Sequence, residues 1–277
     1  GKFSIVSWDK TVSFRFDPSV NDYYIKNIVR AVNVEAIRSR RFKVVVDTGC
    51  GAGSLTLPFL LRELGCEVLT LGAQPDGTFP WRNPEPTPDA LTELSALVKK
   101  TGAAFGAAHD GDADRIVFMD ENGEFVNEEV LLAMMTKYML ELEKGPVVTP
   151  VSSSQRMADV TKEAGVELYW TAVGSINVAR KMMETGAVFG GEGNGGLIFP
   201  KHQYCREDGK TPGAWRLAFW RHDTALGRLT RADRVRSPAI RPWRCRPVAI
   251  GLHPRPTRFR QLTWSVGYKP QRGSIWN

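Results

Sequence analysis

The alternation of short apolar runs with longer amphipathic segments constrains the fold of this chain more than any other feature of its sequence. Short runs of β-branched, aromatic and other apolar residues predict strands at 43–47, 67–71, 116–119, 146–149 and 167–170. Apolar residues at helical spacing predict helices at 55–64, 88–100, 128–142, 157–164 and 176–184. Because strands that alternate with helices form α/β layers, the pattern predicts the α/β fold class, with two consecutive units built on mixed or parallel sheets.

The Asp-Gly-Asp-Ala-Asp-Arg segment at 110–115 carries the clearest chemical signal. Asp110, Asp112 and Asp114 occupy alternating positions, so a tight loop can bring their carboxylates to one point. Such a cluster of like charge favours a hard divalent cation with oxygen ligands, such as Mg²⁺. Arg115 adds a fork of donors that suits a phosphate or orients a carboxylate. The segment therefore predicts a magnesium site with an arginine beside it, the alternative being an acidic surface turn.

A calcium-binding EF-hand loop also begins with acidic residues at alternating positions. The sixth position of that loop must be a glycine, and here it is Arg115. The preceding residues, 103–109, lack the charged face of an amphipathic helix. The sequence therefore excludes an EF-hand.

A glycine-rich turn after the first predicted strand is compatible with one specific class of enzyme. Gly49, Gly51 and Gly53 lie between a strand and a helix, as in the fingerprint of S-adenosylmethionine-dependent methyltransferases. That fingerprint needs an acidic residue at the end of the next strand to hold the ribose hydroxyls. Here the next strand ends at Leu71, and the nearest acid is Asp76. We expect the glycines to be structural, with a methyltransferase as the alternative.

With its companion motifs, the 110–115 segment resembles the magnesium loop of the α-D-phosphohexomutases, the family of phosphomannomutases, phosphoglucomutases and phosphoglucosamine mutases. Residues 190–196, Gly-Gly-Glu-Gly-Asn-Gly-Gly, resemble the sugar-recognition loop of that family, although they depart from its common Gly-Glu-x-Ser-Gly-His form. Residues 171–174 resemble the turn before the sugar loop, and Asn83-Pro84-Glu85-Pro86 resembles the stretch before the metal loop. The resemblance extends from about residue 20 to about residue 209 and covers the second and third domains of the family.

The resemblance implies an isomerase that moves a phosphoryl group between the 1- and 6-positions of a hexose phosphate, through a hexose bisphosphate and a phosphoserine. It assigns Asp110, Asp112 and Asp114 to Mg²⁺, and it assigns Arg115 to catalysis. It assigns substrate binding to the sugar loop, namely Gly191, Glu192, Gly193, Asn194 and Gly195. Residues that follow this loop are further candidates for lining the cleft: His202, Arg206 and Asp208.

The serine that carries the phosphoryl group lies, in that family, in a Thr-Ala-Ser-His-Asn-Pro-type loop. The sequence contains no such motif, and residues 1–20 are interpreted as the remnant of a first domain. We therefore expect the phosphoserine to lie outside this chain and the chain alone to be inactive. The alternative is a non-catalytic, metal-binding remnant.

The C-terminal part differs in composition from the rest of the chain. Residues 1–200 hold 20 Lys+Arg and 26 Asp+Glu, whereas residues 201–277 hold 17 and 4, and 14 of those 17 are arginines. Residues 210–277 show no helical or alternating period and are interpreted as a poorly ordered, basic tail, rich in Arg, Pro and Trp, that is out of frame. The alternative is a basic arm that binds nucleic acid, which is otherwise not an expected partner. The predicted domains are thus 1–20, 21–143, 144–209 and 210–277.

The sequence also bears on the location of the protein. No segment approaches 18 consecutive apolar residues, and residues 1–10 do not form a signal peptide. The four cysteines lie far apart, without the pairing of a disulfide frame or a zinc site. These features predict a cytoplasmic protein with no membrane partner.

Overall fold

The computed structural model describes residues 5–10, 17 and 19–206. The tail predicted at 210–277 lies outside these residues. The described residues contain seven α-helices: α1 (Ser19–Ala31), α2 (Val34–Arg38), α3 (Leu57–Glu63), α4 (Thr92–Thr101), α5 (Glu128–Leu142), α6 (Arg156–Ala164) and α7 (Ser175–Thr185). They also contain eight strands: β1 (Lys43–Asp47), β2 (Glu67–Leu71), β3 (Phe105–His109), β4 (Ile116–Met119), β5 (Val147–Pro150), β6 (Leu168–Thr171), β7 (Phe189–Gly191) and β8 (Leu197–Ile198).

The strands form two sheets that have the same order and the same mixture of directions. In the first sheet the order is β2-β1-β3-β4, with β1 parallel to both neighbours and β4 antiparallel to β3. In the second sheet the order is β6-β5-β7-β8, with β5 parallel to both neighbours and β8 antiparallel to β7. The prediction of two α/β units with mixed sheets is thus confirmed.

Strand β1 lies inside the first sheet, and its side chains alternate between two apolar layers. Val44 and Val46 pack in a core with the leucines of α3. Val45 packs in a second core with Leu94 and Val98 of α4. Burial on both faces explains why residues 44–46 form an unbroken apolar run rather than an alternating one.

Helix α5 is buried over most of its surface because it contributes to a core shared by the two sheets. Leu131 and Met135 of α5 belong to the same core as Phe105 of the first sheet and Phe189 of the second. Asn127 caps the helix, since its side-chain oxygen accepts hydrogen bonds from the first-turn amides. Both sheets therefore lie in one compact body.

Three strands were missed by the sequence prediction: β3, β7 and β8. Strand β3 contains Gly106, Ala107 and Ala108, which are residue types with little preference for strands. A Cβ on Gly106 would lie 2.9 Å from Val98 and 3.0 Å from Leu94. The small residues thus let α4 lie close to the sheet, and packing rather than local preference places this segment in a strand.

Helix α1 was also not predicted, and the expected domain boundary between residues 20 and 21 falls within its first turn. The helix forms because Ile25 and Ile28 lie on one face and are buried in the core that contains α3. Ile5, in the segment interpreted as a first-domain remnant, is exposed and lies outside any strand. Among the residues that the structure describes, no helix is long and apolar enough to cross a membrane.

Candidate active site

The predicted metal loop and the predicted sugar loop occupy equivalent places in the two sheets. Residues 110–115 join β3 to the antiparallel strand β4, and residues 192–196 join β7 to the antiparallel strand β8. The sugar loop also meets the end of the metal loop, because a Cβ built on Gly195 would overlap the carbonyl oxygen of Ile116, the first residue of β4. Both begin at the carboxyl end of a parallel strand, which is where α/β sheets commonly bind ligands.

The metal loop brings three carboxylates together. Oxygen atoms of Asp110, Asp112 and Asp114 all lie within 4.8 Å of one another, and their side chains range from buried for Asp110 to exposed for Asp112. Asp110 organises the loop, since its Oδ1 accepts hydrogen bonds from the amides of Asp114 at 3.1 Å and Arg115 at 3.2 Å. Ala113 has a φ of 59°, so the turn between the carboxylates passes through the left-handed region.

Arg115 lies between two acidic side chains. Its Nε donates to Asp110 Oδ2 at 2.7 Å, and its Nη1 and Nη2 donate to the two Glu85 oxygens at 2.7 and 2.8 Å. This is the bidentate geometry that guanidinium and carboxylate groups favour. Glu85 belongs to the Asn83-Pro84-Glu85-Pro86 stretch, and its pairing with Arg115 was not predicted.

A buried ion pair stabilises the strand ends next to the metal loop. Arg82 Nε lies 3.1 Å from Asp47 Oδ1, and the two side chains are 5% and 1% exposed. The Arg82 Nη2 also donates to the carbonyl of His109 at 2.7 Å, and Nη1 donates to that of Asn83 at 2.9 Å. Arg82 therefore fastens the ends of β1 and β3 to the stretch that carries Glu85.

Other residues of the chain occupy the space around the glycine turn that follows β1. A Cβ on Gly49 would lie 2.9 Å from the Arg82 guanidinium, a Cβ on Gly51 would lie 2.5 Å from the Gly111 carbonyl oxygen, and a Cβ on Gly53 would overlap the His109 ring. These glycines let the turn approach the metal loop closely. This structural role is what the sequence favoured over a methyltransferase site.

The sugar loop is a short hairpin connection held by its own polar groups. The Glu192 amide donates to the Gly196 carbonyl at 2.9 Å, and Asn194 Oδ1 accepts from the Gly196 amide at 3.1 Å. Glu192 is largely buried, and its Oε1 accepts from the amide of Gly174, in the turn before α7, at 3.2 Å. A Cβ on Gly193 would overlap Glu129 Oε1 of α5. Gly193 and Gly195 thus face protein atoms.

Arg206 connects the two loops. Its Nη2 is paired with Asp114 Oδ2, and its Nη1 lies 3.5 Å from Glu192 Oε2. Its aliphatic part lies over Gly196, where a built Cβ would overlap the Arg206 Cδ. The sequence predicted Arg206 only as a candidate to line the cleft and did not predict these two ion pairs. Of the other two cleft candidates, His202 packs near Tyr24 and Asp208 lies outside the described residues.

Acidic groups outnumber basic ones in this network. The five carboxylates Asp110, Asp112, Asp114, Glu85 and Glu192 share only two guanidinium groups, those of Arg115 and Arg206. Partial burial, first of all, and then the charges of Asp110 and Asp112 raise the pKa of the Asp114 carboxyl, although Arg206 opposes this. The pKa of Glu128 is raised as well, by partial burial and by the nearby charges of Glu85 and Glu129. The excess negative charge suits a divalent cation.

Two sequence models of one family match consecutive parts of the chain. The model "Phosphoglucomutase/phosphomannomutase, alpha/beta/alpha domain II" matches residues 22–123, and the model of domain III matches residues 127–230. The chain belongs to the phosphoglucomutase/phosphomannomutase family. The resemblance inferred from the motifs is thereby confirmed, and the methyltransferase alternative is not favoured. The domain III match continues past residue 209, and the domain end expected there stays a prediction.

Relatives in the phosphoglucomutase/phosphomannomutase family include proteins of archaea. The chain is 45% identical over 210 residues to a phosphoglucomutase/phosphomannomutase of Thermococcus kodakarensis, covering 76% of this chain and 46% of the relative. It is 45% identical over 203 residues to a Methanosarcina barkeri protein named as a phosphoglucosamine mutase, covering 73% and 45%. The chain thus spans about half the length of these relatives.

Solved structures of named mutases share the fold. A phosphoglucomutase/phosphomannomutase family protein of Burkholderia thailandensis superposes with a TM-score of 0.65 at 32% identity, over 72% of this chain and 43% of that one. An N-acetylglucosamine-phosphate mutase in its substrate complex superposes with a TM-score of 0.54 at 12% identity, over 74% and 49%. The second likeness concerns the fold alone.

Proposed function

We propose that this chain supplies the metal-binding and sugar-binding loops of a magnesium-dependent phosphohexomutase. In this proposal Asp110, Asp112 and Asp114 hold Mg²⁺, and Arg115 assists phosphoryl transfer between the 1- and 6-positions of a hexose phosphate. The observation that carries it is the meeting of the three carboxylates with the sugar loop through Arg206. Family membership supports it, because the named relatives are mutases.

The donor set fits the cation. All the candidate ligand atoms are carboxylate oxygens, which Mg²⁺ prefers, and they lie within 4.8 Å of one another. The surrounding network retains an excess of negative charge after its two arginines are counted. When bound, Mg²⁺ would supply positive charge that stabilises a transferring phosphoryl group.

The side chains of the chain itself perform the positioning. Arg115 is fixed at Nε by Asp110 and at both Nη atoms by Glu85, so its charge is held beside the triad rather than free in solvent. Glu192 is anchored through Oε1 to the Gly174 amide, which fixes one carboxylate at the sugar loop. We propose that Glu192 and Asn194 accept hydrogen bonds from sugar hydroxyls, with Gly191, Gly193 and Gly195 allowing the loop its close packing.

The proposal places the phosphorylated serine outside the 277 residues. A coupled assay of this polypeptide with glucose 1-phosphate or mannose 1-phosphate should then show no turnover above background, since a phosphoryl carrier is needed. Turnover that is lost on Asp110→Ala would contradict the proposal, because the chain would then transfer phosphate without the outside serine. A cytoplasmic location is also part of the proposal.

The cation can be tested without turnover. Millimolar Mg²⁺ should raise the melting temperature of the wild-type chain, and Asp112→Asn should abolish that rise because the variant loses one ligand charge. Asp112 suits this test since it is exposed, so the substitution should leave the fold intact. Asp159→Asn, on α6, is the matched control and should keep the full Mg²⁺ response. An equal response in wild type and Asp112→Asn would exclude the triad as the cation site.

The sugar loop has its own test. Glucose 1,6-bisphosphate should bind to the Mg²⁺-loaded chain in calorimetry, and Glu192→Gln should weaken that binding about tenfold by removing a charged acceptor. Glutamine retains an oxygen for the Gly174 amide, so the loop should keep its conformation. Unchanged affinity in Glu192→Gln would remove Glu192 from the substrate site.

A further inference from the structure

Arg206 is the residue that joins the metal loop to the sugar loop. We propose that Arg206 is an exchangeable counter-ion: it neutralises Asp114 while the triad holds no cation, and it turns to a phosphate oxygen of the substrate once a divalent cation binds. This inference rests on the proposed function, because it requires a cation at the triad. It assigns Arg206 the role of a substrate ligand that becomes available only in the metal-loaded protein.

The geometry of Arg206 allows such an exchange. Its side chain is 23% exposed, so a dissolved phosphate group can reach the guanidinium. The aliphatic part of Arg206 packs on Gly196, where a Cβ would overlap it. The sugar loop therefore fixes the position of this part of the side chain. The guanidinium can therefore change partners by rotating about its terminal bonds while its stem stays in place.

Asp114 is the carboxylate whose partner must change. Asp110 is held by two backbone amides and by Arg115 Nε at 2.7 Å. Asp114 Oδ2 is instead paired with Arg206, and Arg115 Nε lies 3.7 Å from Asp114 Oδ1. A cation that takes Asp114 as a ligand competes directly with Arg206 for that charge. The paired Arg206 thus weakens cation binding, and cation binding weakens the arginine pair.

The released guanidinium needs an anionic partner. Glu192 Oε2 lies 3.5 Å from Nη1, so one carboxylate keeps Arg206 at the sugar loop after Asp114 is lost. The remaining donors of the guanidinium then match the paired oxygens of a phosphate group. A phosphate monoester bound between the triad and Glu192 would satisfy them.

The first arm of the test measures cation affinity. Mn²⁺, as an oxygen-preferring probe, is titrated into the wild-type chain, Arg206→Gln, Arg206→Lys and the exposed control Arg180→Gln, with melting curves to verify folding. Arg206→Gln should bind Mn²⁺ about tenfold tighter than wild type, because a competing charge is gone. Arg206→Lys and Arg180→Gln should stay near the wild-type value. Equal or weaker Mn²⁺ binding in Arg206→Gln would overturn the proposal.

The second arm measures inorganic phosphate. In the Mn²⁺-saturated chain, phosphate should bind about tenfold more weakly to Arg206→Gln than to wild type, whereas Arg180→Gln should match wild type. In the wild-type chain without Mn²⁺, phosphate should bind weakly, since Arg206 is engaged by Asp114. Equal phosphate affinity in wild type and Arg206→Gln would overturn the proposal.

Asp112→Asn separates this inference from the proposed function. If Asp112→Asn binds Mn²⁺ as well as wild type, the triad is not the cation site, and both proposals fail. If Asp112→Asn loses Mn²⁺ while Arg206→Gln behaves as wild type in both arms, the triad holds the cation and only the exchange is wrong.

Discussion

Three arginines determine the geometry of the site at the scale of single residues. Arg82 fixes the ends of β1 and β3, Arg115 links Asp110 to Glu85, and Arg206 links Asp114 to Glu192. Each of these contacts except that of Arg115 with Asp110 joins residues far apart in the sequence. The carboxylates alone would repel one another, so the arginines keep them together while no cation is present.

Glu85 should influence the cation site through Arg115. Glu85→Gln removes the charged bidentate partner of Arg115. The guanidinium can then interact more strongly with Asp110 and Asp114, where it competes with a cation. We predict about fivefold weaker Mn²⁺ binding in a calorimetric titration, from the lost negative charge and this added competition. The melting temperature should hardly change, because the Glu85 side chain is 50% exposed and solvent screens the pair. Glu35→Gln, a substitution in the exposed carboxylate of α2, is the control.

Arg82 should matter for stability. Arg82→Ala leaves the buried Asp47 carboxylate without its guanidinium, and the carbonyls of His109 and Asn83 lose a donor. We predict a loss of about 3–5 kcal/mol in the free energy of unfolding, as for other broken buried pairs. Urea unfolding measures this, with Arg180→Ala as the control that should change it by less than about 0.5 kcal/mol. A small loss in Arg82→Ala would mean that water replaces the guanidinium.

At the scale of elements, the site is built from two equivalent hairpins. Each unit ends its sheet with an antiparallel strand, and the connection before that strand carries the candidate ligands. The loops can touch because the sugar loop is rich in glycine. Gly195 has a φ of +84°, and a Cβ there would overlap the Ile116 carbonyl oxygen.

Gly195→Ala should therefore separate the two loops. The variant carries the strain of a left-handed alanine and a clash with backbone, so we predict a loss of about 2–5 kcal/mol in the free energy of unfolding. Gly186→Ala is the matched control, since Gly186 also has a positive φ (+64°) but no described atom within 4 Å of a built Cβ. It should lose only about 1 kcal/mol. Equal losses in urea unfolding would mean that the close approach to Ile116 is unimportant.

The sequence predicted those elements whose signal is local. Strands β1, β2 and β4 and helix α5 lie where their apolar patterns placed them. Strands β3 and β7 were missed because Gly106, Ala107 and Gly190 carry no strand signal and are buried by their neighbours. The same difference between local signals and tertiary contacts applies to the site. The triad lies within five consecutive residues and was predicted together, whereas the pairings of Glu85 and Arg206 depend on tertiary contacts.

At the scale of the whole molecule, the two sheets and α5 share one core, so cation binding at the site should raise the stability of the whole described body. The stabilising effect of Mg²⁺ should depend on pH. The raised pKa of Asp114 means that the folded chain holds a proton there more tightly than the unfolded chain does. As the pH falls towards that raised pKa, the proton competes with the cation.

We therefore predict that Mg²⁺ raises the melting temperature less at about pH 5 than at about pH 7.5. Without Mg²⁺, the raised pKa of Asp114 has the opposite effect: its contribution to the free energy of unfolding increases as the pH falls. Protonation relieves the desolvation of this carboxyl and its repulsion by Asp110 and Asp112. Asp114→Asn should have a small Mg²⁺ response at both pH values. A response in the wild type that is independent of pH would show that no carboxyl with a raised pKa binds the cation.

Anomalous diffraction from crystals grown with Mn²⁺ is the sharpest test of the metal site, because it locates the cation without relying on activity. We expect one strong anomalous peak bonded to an oxygen of each of Asp110, Asp112 and Asp114 at about 2 Å. In the same density, the Arg206 guanidinium should have left Asp114. A peak bonded to other side chains, or none at the triad at saturating Mn²⁺, would exclude the three aspartates as the cation site.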